Sequence, residues 1–288
     1  MITVLTTTYN RVSTLPRLFE SLCAQTCKEF EWLIIDDGSI DDTQKILAGF
    51  ASSAPFKIRV VQQLNSGKHV ALNNGATNAN TPWLFIVDSD DALVPTASKT
   101  ILSSIDKHCD EKTVGLCYRR AYFDKQLLGV KLSSGDSPMV LTPTGAAHLF
   151  KGDLAYVFKT EVLIRNKFPV FSGEKFVPEL YIWNKIGDEG VIYFFASEAL
   201  YLCDYLDDGY SKNFSSNLRK NPKGFLVFYW SQIGRETSIF FKAKYLIRSG
   251  QCCLYTLLNT FSWMYYFFLL VQNSVPTAPS RPLISAAA

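Results

Sequence analysis

The chain has 288 residues, of which 48% are hydrophobic and 19% charged, enough to build one large α/β domain with a helical appendage. A net charge of +3 is too small to point to nucleic acid. The seven cysteines are scattered, with no CxxC and no Cys/His metal spacing, which sets a reduced, cytoplasmic compartment as the expectation. A basic n-region and an apolar h-region are missing ahead of the first strand, so a signal peptide is not expected.

Ile2 to Thr8 is rich in β-formers and predicts a strand. Tyr9-Asn10-Arg11 follows as a turn, and Ser13 is placed to cap a helix running to about Gln25 on an apolar face of Leu15, Leu18, Phe19 and Leu22. Phe30 to Ile35 reads as a second, buried strand that ends in Asp36-Asp37-Gly38-Ser39. A helix opens at Asp41-Asp42-Thr43, with acids where the helix dipole favours them, and runs to about Ala51. Lys57 to Gln62 predicts a third strand, Asn65-Ser66-Gly67 a turn, and Lys68 to Asn78 a helix.

Trp83 to Val87 is an unbroken apolar run, the pattern of a strand buried on both faces. It stops at Asp88-Ser89-Asp90-Asp91, three carboxylates in four residues. Such a cluster reads either as a solvated acidic turn or as a site for a divalent cation, since Mg²⁺ takes one or two carboxylates together with substrate phosphate oxygens. Four strand–helix alternations predict a doubly wound, mostly parallel sheet with ligands at the strands' carboxyl ends. No GxGxxG and no GxxxxGK[ST] occurs, which argues against a Rossmann dinucleotide site or a P-loop.

The second half is less regular. It predicts a helix from Pro95 to Lys107, a strand from Thr113 to Tyr122, a hairpin and loop from Phe123 to Thr142, a short helix from Thr144 to Lys151, and a strand from Leu154 to Phe158. Phe168 to Phe176 is loop-like, and Pro178 suits the first turn of a helix reaching Ile186. Val191 to Phe195 and Leu200 to Tyr205 read as two strands, followed by a turn at Asp207-Asp208-Gly209. From Pro222 onward the pattern is helical. Cys252 to Val271 is uncharged and has the roughly 20-residue length of a bilayer span. Polar residues dilute it, however, and Lys242, Lys244 and Arg248 precede it. Packing on the core, a homodimer contact, an in-plane helix on the inner face of a membrane, and a true span all stay open. The tail from residue 274 is expected to be disordered.

Read together, ITVLTTTYNR, IIDDGSIDDT, NSGKHVALNNG and FIVDSDD resemble, in order and spacing, the family 2 glycosyltransferases of GT-A fold, of the kind that builds bacterial cell-surface polysaccharides. The resemblance covers about residues 1–215: a nucleotide-sugar half (1–94) and an acceptor half (95–215), with a helical region at 216–273. It implies an inverting, metal-assisted transfer from a nucleoside diphosphate sugar, UDP foremost, to a glycan or lipid-linked acceptor. By the resemblance, Thr7, Tyr9 and one of Asp36 or Asp37 contact the nucleoside. Asp88 and Asp90 hold Mg²⁺ or Mn²⁺, and Lys68 stands beside the diphosphate. The general base of the family falls, on a register set by Trp183, at Glu179, although Pro178 and a Glu depart from the usual acidic pair. Glu174 is a second candidate on the same loop. Lys212 could neutralise the leaving group, and His69, His108 and His148 carry no metal spacing. A nucleotidyltransferase would need a basic Gly-rich loop after the first strand, which TTTYNRVSTL lacks. A catalytically inactive sugar-nucleotide-binding partner of a membrane assembly is the remaining alternative.

Overall fold

A computed structural model of the chain describes residues 1–132, 137–204 and 214–273, the last thirteen of these as backbone only. The turn expected at Asp207-Asp208-Gly209, Lys212, and the tail from residue 274 lie outside the described residues.

Chain order in the first half alternates strand and helix: β1 (Ile2–Thr8), α1 (Leu15–Cys23), β2 (Phe30–Asp36), α2 (Thr43–Ser53), β3 (Lys57–Gln62), α3 (Lys68–Asn78) and β4 (Trp83–Ile86). The second half contributes β5 (Ala92–Leu93), α4 (Ala97–His108), β6 (Thr113–Ala121), β7 (Met139–Val140), α5 (Pro143–Phe150), β8 (Leu154–Lys159), α6 (Thr160–Arg165), α7 (Leu180–Glu189) and β9 (Val191–Leu202). Three helices follow, α8 (Phe214–Lys220), α9 (Pro222–Arg235) and α10 (Ile239–Asn273).

The strands form one sheet in the order β3-β2-β1-β4-β8-β6-β9-β5, with β7 beside β9. Pairing is parallel from β3 through β4. Beyond β4 it is mixed: β8 runs antiparallel to both β4 and β6, and β9 is parallel to β6. The parallel part thus coincides with the regular part of the sequence, because each right-handed crossover needs its own helix.

Side-chain alternation sorts the core onto two faces. Ile2, Val4, Trp32 and Ile34 pack with Leu15, Leu18, Leu47 and Ile101 on one side. Leu5, Leu33 and Ile35 pack with Leu72, Phe168, Trp183 and Ile186 on the other. In α3, Gly75 makes this second layer possible, since a Cβ there would meet Leu5 Cδ1 at 2.3 Å.

Several boundaries differ from expectation for identifiable reasons. Helix α1 begins at Leu15 with Pro16 in its first turn and no side-chain cap from Ser13. It stops at Cys23 because Gln25 is used elsewhere: its amide donates to Ser21 and Val94 carbonyls and accepts from Ser98 N–H. The two strands expected between Val191 and Tyr205 are one strand, β9. The polar Ala196-Ser197-Glu198 interruption is a bulge, across which the partner of β6 jumps from Phe195 to Ala199. Helix α6 was not expected. It is one and a half turns long, too short to show periodicity.

Candidate active site at the strand ends

The carboxyl ends of β1, β2 and β4 converge on an open cleft of about 470 Å³ beside the start of α3. Of the residues singled out in the sequence, Thr7, Tyr9, Asp37, Lys68, Asp88 and Asp90 line it. Tyr9 is 44% exposed and leaves its ring accessible for stacking. Its loop is held by its neighbour: Asn10 N–H donates to Ser39 Oγ (2.9 Å), and Asn10 Oδ1 accepts from Ile40 N–H (2.9 Å).

The adjacent acids after β2 have different tasks. Asp36 does not line the cleft. It is fully buried, and its carboxylate accepts from Ser39 N–H (3.0 Å) and Gln44 Nε2 (3.3 Å), closing the turn after the strand. Asp37, on the opposite parity, faces the cleft. Its Oδ1 accepts from Gln63 Nε2 (2.7 Å) and Ser66 N–H (2.8 Å), and its Oδ2 from Gly67 N–H (2.8 Å). The turn that delivers Lys68 is therefore fastened to β2.

Gly67, at φ +95°, starts α3 in a conformation L side chains rarely adopt. A Cβ there would also lie 2.1 Å from the Lys175 carbonyl oxygen. The backbone of the 168–178 segment passes directly over this glycine. Its start is pinned by Asn73, whose amide donates to Phe168 O (2.9 Å) and accepts from Phe168 N–H (2.8 Å). Its middle is tied by Lys175 N–H to Asn221 Oδ1 (2.7 Å) and by Lys175 Nζ to Asn65 Oδ1. The segment delivers Glu179 at the N-terminus of α7.

Lys68 joins the two halves. Its Nζ lies 2.5 Å from Asp88 Oδ1 and 2.7 Å from Glu179 Oε1. Glu179 is not in the cleft wall itself but is held next to it through this lysine. Burial opposes a charge on Lys68, yet Asp88 and then Glu179 outweigh it and hold the ammonium well above its ordinary value.

Asp88 carries a second cation. Arg120 Nη1 is 3.3 Å from Asp88 Oδ2 and 3.6 Å from Asp91 Oδ2, and its guanidinium lies 4.0 Å above the Tyr201 ring. Tyr201 Oη in turn accepts from Asp88 N–H at 2.7 Å. Burial alone would raise Asp88, but Lys68 and Arg120 hold its carboxyl well below the usual range. Its neighbours go the other way. Burial, then the charge of Asp88, raises Asp90 and pushes Asp91 up to about 7.

That pattern bears on a cation. Asp88 and Asp90 offer hard oxygen donors whose mutual repulsion a divalent ion would relieve, and the residues fit Mg²⁺ or Mn²⁺. Among the described residues no group of three His, Cys, Asp or Glu converges on one point. Two carboxylates completed by phosphate oxygens and water is the set these residues can supply.

Arg120 and Tyr201 escaped the sequence reading, as did Lys175, which also lines the cleft. A signal for Arg120 existed: Arg119-Arg120 interrupts an otherwise buried strand. Arg119 points to the other face, where it donates to Leu128 O (2.6 Å) and Ala196 O (3.3 Å). None of His69, His108 and His148 lines the cleft.

Glu174 is turned away. Its Oε1 accepts from Lys223 N–H (3.0 Å) and its Oε2 from Gly224 N–H (2.9 Å), so it closes the N-terminus of α9. Burial raises its pKa against those two bonds. Glu174→Gln replaces one acceptor by a donor facing an N–H and should lower stability by about 1–2 kcal/mol. Denaturant midpoints of the two proteins check this.

A parallel half-sheet continued by a mixed half and flanked by helices is the GT-A arrangement of glycosyltransferases. The chain belongs to the glycosyl transferase family 2, whose family model matches residues 3–160. It is 29% identical over 177 residues to an uncharacterized glycosyltransferase of Nostoc sp., spanning 59% of this chain and 53% of that protein. A PGL/p-HBAD biosynthesis glycosyltransferase from Mycobacterium tuberculosis is 31% identical over 93 residues, 32% of this chain and 36% of that one. The chain thus spans about half or less of these relatives' length. Among solved structures, Staphylococcus aureus TarS 1–349 with UDP-GlcNAc matches at a TM-score of 0.62 and 18% identity, over 88% of this chain and 71% of that one. A Pyrobaculum calidifontis mannosyltransferase with GDP-Man and Mn²⁺ matches at 0.58 and 15%, over 90% and 74%.

Proposed function

We propose that the chain transfers a sugar from a nucleoside diphosphate donor, a UDP-sugar, to a hydroxyl of a glycan or lipid-linked saccharide, with inversion. The observation that carries this reading is Lys68 held between Asp88, at the donor cleft, and Glu179, at the entry from the acceptor half. The UDP-GlcNAc bound to TarS and the GDP-Man and Mn²⁺ bound to the mannosyltransferase support the donor class and the cation.

In this reading Tyr9 stacks on the base, Asp37 accepts the uracil N3–H, and Thr7 offers its hydroxyl to the nucleoside. Lys68 gives its charge to the diphosphate, whose oxygens compete with Glu179 for the ammonium. Glu179, so released, takes the proton of the acceptor hydroxyl. The acceptor oxygen attacks the anomeric carbon from the face opposite the diphosphate, and the bond to the leaving phosphate oxygen breaks. Asp88 and Asp90 would hold Mg²⁺ or Mn²⁺, which supplies Lewis-acid stabilisation of the leaving diphosphate. Arg120 and Tyr201 keep Asp88 ionised and fixed in place. All seven cysteines are free thiols, in keeping with action in a reducing, cytoplasmic compartment, on glycan precursors of a cell-surface polysaccharide.

A panel of UDP- and GDP-sugars, assayed for donor hydrolysis with Mg²⁺ or Mn²⁺, is the test. One UDP-sugar should be consumed, and EDTA should stop the reaction. Consumption of a GDP-sugar alone would overturn the donor, and full activity in EDTA the metal.

A further inference from the structure

Helix α10 has two unlike sides. One packs on α9: Tyr245 and Tyr255 rest against the buried cluster of Phe225, Tyr229 and Cys252, and Ser249 is buried between them. The other faces outward and is apolar. Phe240, Leu246, Ile247, Leu254, Leu257 and Leu258 are all more than half exposed, Phe240 and Ile247 at 72% each. At about 100° per residue these positions fall within an arc of about 120°, and from Phe240 to Leu258 the stripe is about 27 Å long. Scattered exposed leucines are ordinary, but a continuous stripe opposite the packed face is not.

Charge identifies the surface it fits. Lys242 and Lys244 fall on the two borders of the stripe by the same helical geometry, and Arg248 follows one turn later. Lys220 and Lys223 line a cleft against Thr256 and Asn259, on the packed side of the same helix. No Asp or Glu occurs between Ile239 and Asn273. Glu174, in the wall of that cleft, has both oxygens engaged by backbone N–H groups. A second copy of the helix laid on this stripe would offer these lysines no acid to pair with. An anionic lipid surface pairs them and takes the apolar side chains as well.

We propose that the outward face of α10 is a docking surface for an anionic lipid bilayer, the helix lying in the plane of the headgroups. Among the described residues no helix is long and apolar enough to cross a membrane. The inference is independent of the donor chemistry, and either can fail alone.

The test is co-sedimentation of the full chain with vesicles of phosphatidylcholine, with and without phosphatidylglycerol. Binding should require the anionic lipid and be released by high salt or carbonate. Ile247→Glu with Leu254→Glu, both at exposed positions, should abolish it with an unchanged circular dichroism spectrum. Lys242→Glu with Lys244→Glu should weaken binding about tenfold or more and serves if the first pair fails to fold. Sedimentation indifferent to lipid charge, or binding unaffected by both pairs, would overturn the proposal. So would a dimer in light scattering that Ile247→Glu converts to monomer while vesicles bind neither form. Resistance to both salt and carbonate would replace in-plane docking by insertion.

Discussion

Replacing Glu179 by Gln should lower the transfer rate about 10²–10⁴-fold, the usual contribution of a general base, while donor affinity is kept. The substitution preserves shape and removes only charge. Its neighbour sharpens the expectation. Glu179 Oε1 is 2.7 Å from Lys68 Nζ, so Gln also frees the lysine from one of its two carboxylates. UDP binding should hold or tighten, because the diphosphate no longer competes with Glu179 for that charge. A loss of kcat accompanied by unchanged or stronger UDP affinity is therefore the expected signature, read by initial rates at saturating donor and by calorimetry. A merely structural role for Glu179 predicts a different result, lowered stability with both parameters impaired together. Glu174→Gln supplies the comparison: its carboxylate closes the N-terminus of α9, so it should cost stability and spare the chemistry. Near-normal transfer by Glu179→Gln would remove the base from this position.

The parallel half of the fold was legible because its strands are short runs rich in β-formers and alternate with helices. Lys57–Gln62 and Lys68–Asn78 fall where the sequence places them. The mixed half was harder for a physical reason: its strands pair with partners distant in sequence, so nothing local announces the register. β8 enters between β4 and β6, and β9 crosses a bulge that reads as a break. The site followed the same division. Tyr9, one of Asp36 or Asp37, Lys68, Asp88 and Asp90 could be named from the motifs that carry the family resemblance, and Glu179 from a register on Trp183 within it. Asp36 and Asp37 could not be separated without knowing that strand parity turns one inward. Arg120 and Tyr201 come from β6 and β9 and meet Asp88 only through the tertiary fold. Glu174 and Glu179 share one segment and look alike in sequence. Only the position of α9 tells the cap from the group that reaches Lys68.

Removing the carboxylates after β4 should have the other large effect, and the two should fail differently. Asp90→Ala leaves the ion pairs of Asp88 untouched and relieves a carboxyl that burial and Asp88 both hold above its usual pKa. Stability should be unchanged or slightly higher, with metal-dependent UDP binding and transfer abolished. Asp88→Ala removes the shared partner of Lys68 and Arg120. Lys68 then keeps Glu179, and Arg120 keeps Asp91 at 3.6 Å, so neither cation is stranded alone. The Asp88 and Lys68 side chains are also 22% and 27% exposed, which places the cost at or below the ~3 kcal/mol at the low end for breaking a buried pair. Asp88→Ala should thus lose both metal-dependent binding and measurable stability, whereas Asp90→Ala loses binding alone. Calorimetry of UDP with and without Mn²⁺, beside denaturant unfolding of each variant, separates the two. Undiminished metal-dependent UDP binding in both variants would take the cation away from this turn. Equal stability losses in the two would take away the distinction drawn between Asp88 and Asp90, and with it the role given to Lys68 and Arg120 in holding Asp88 ionised.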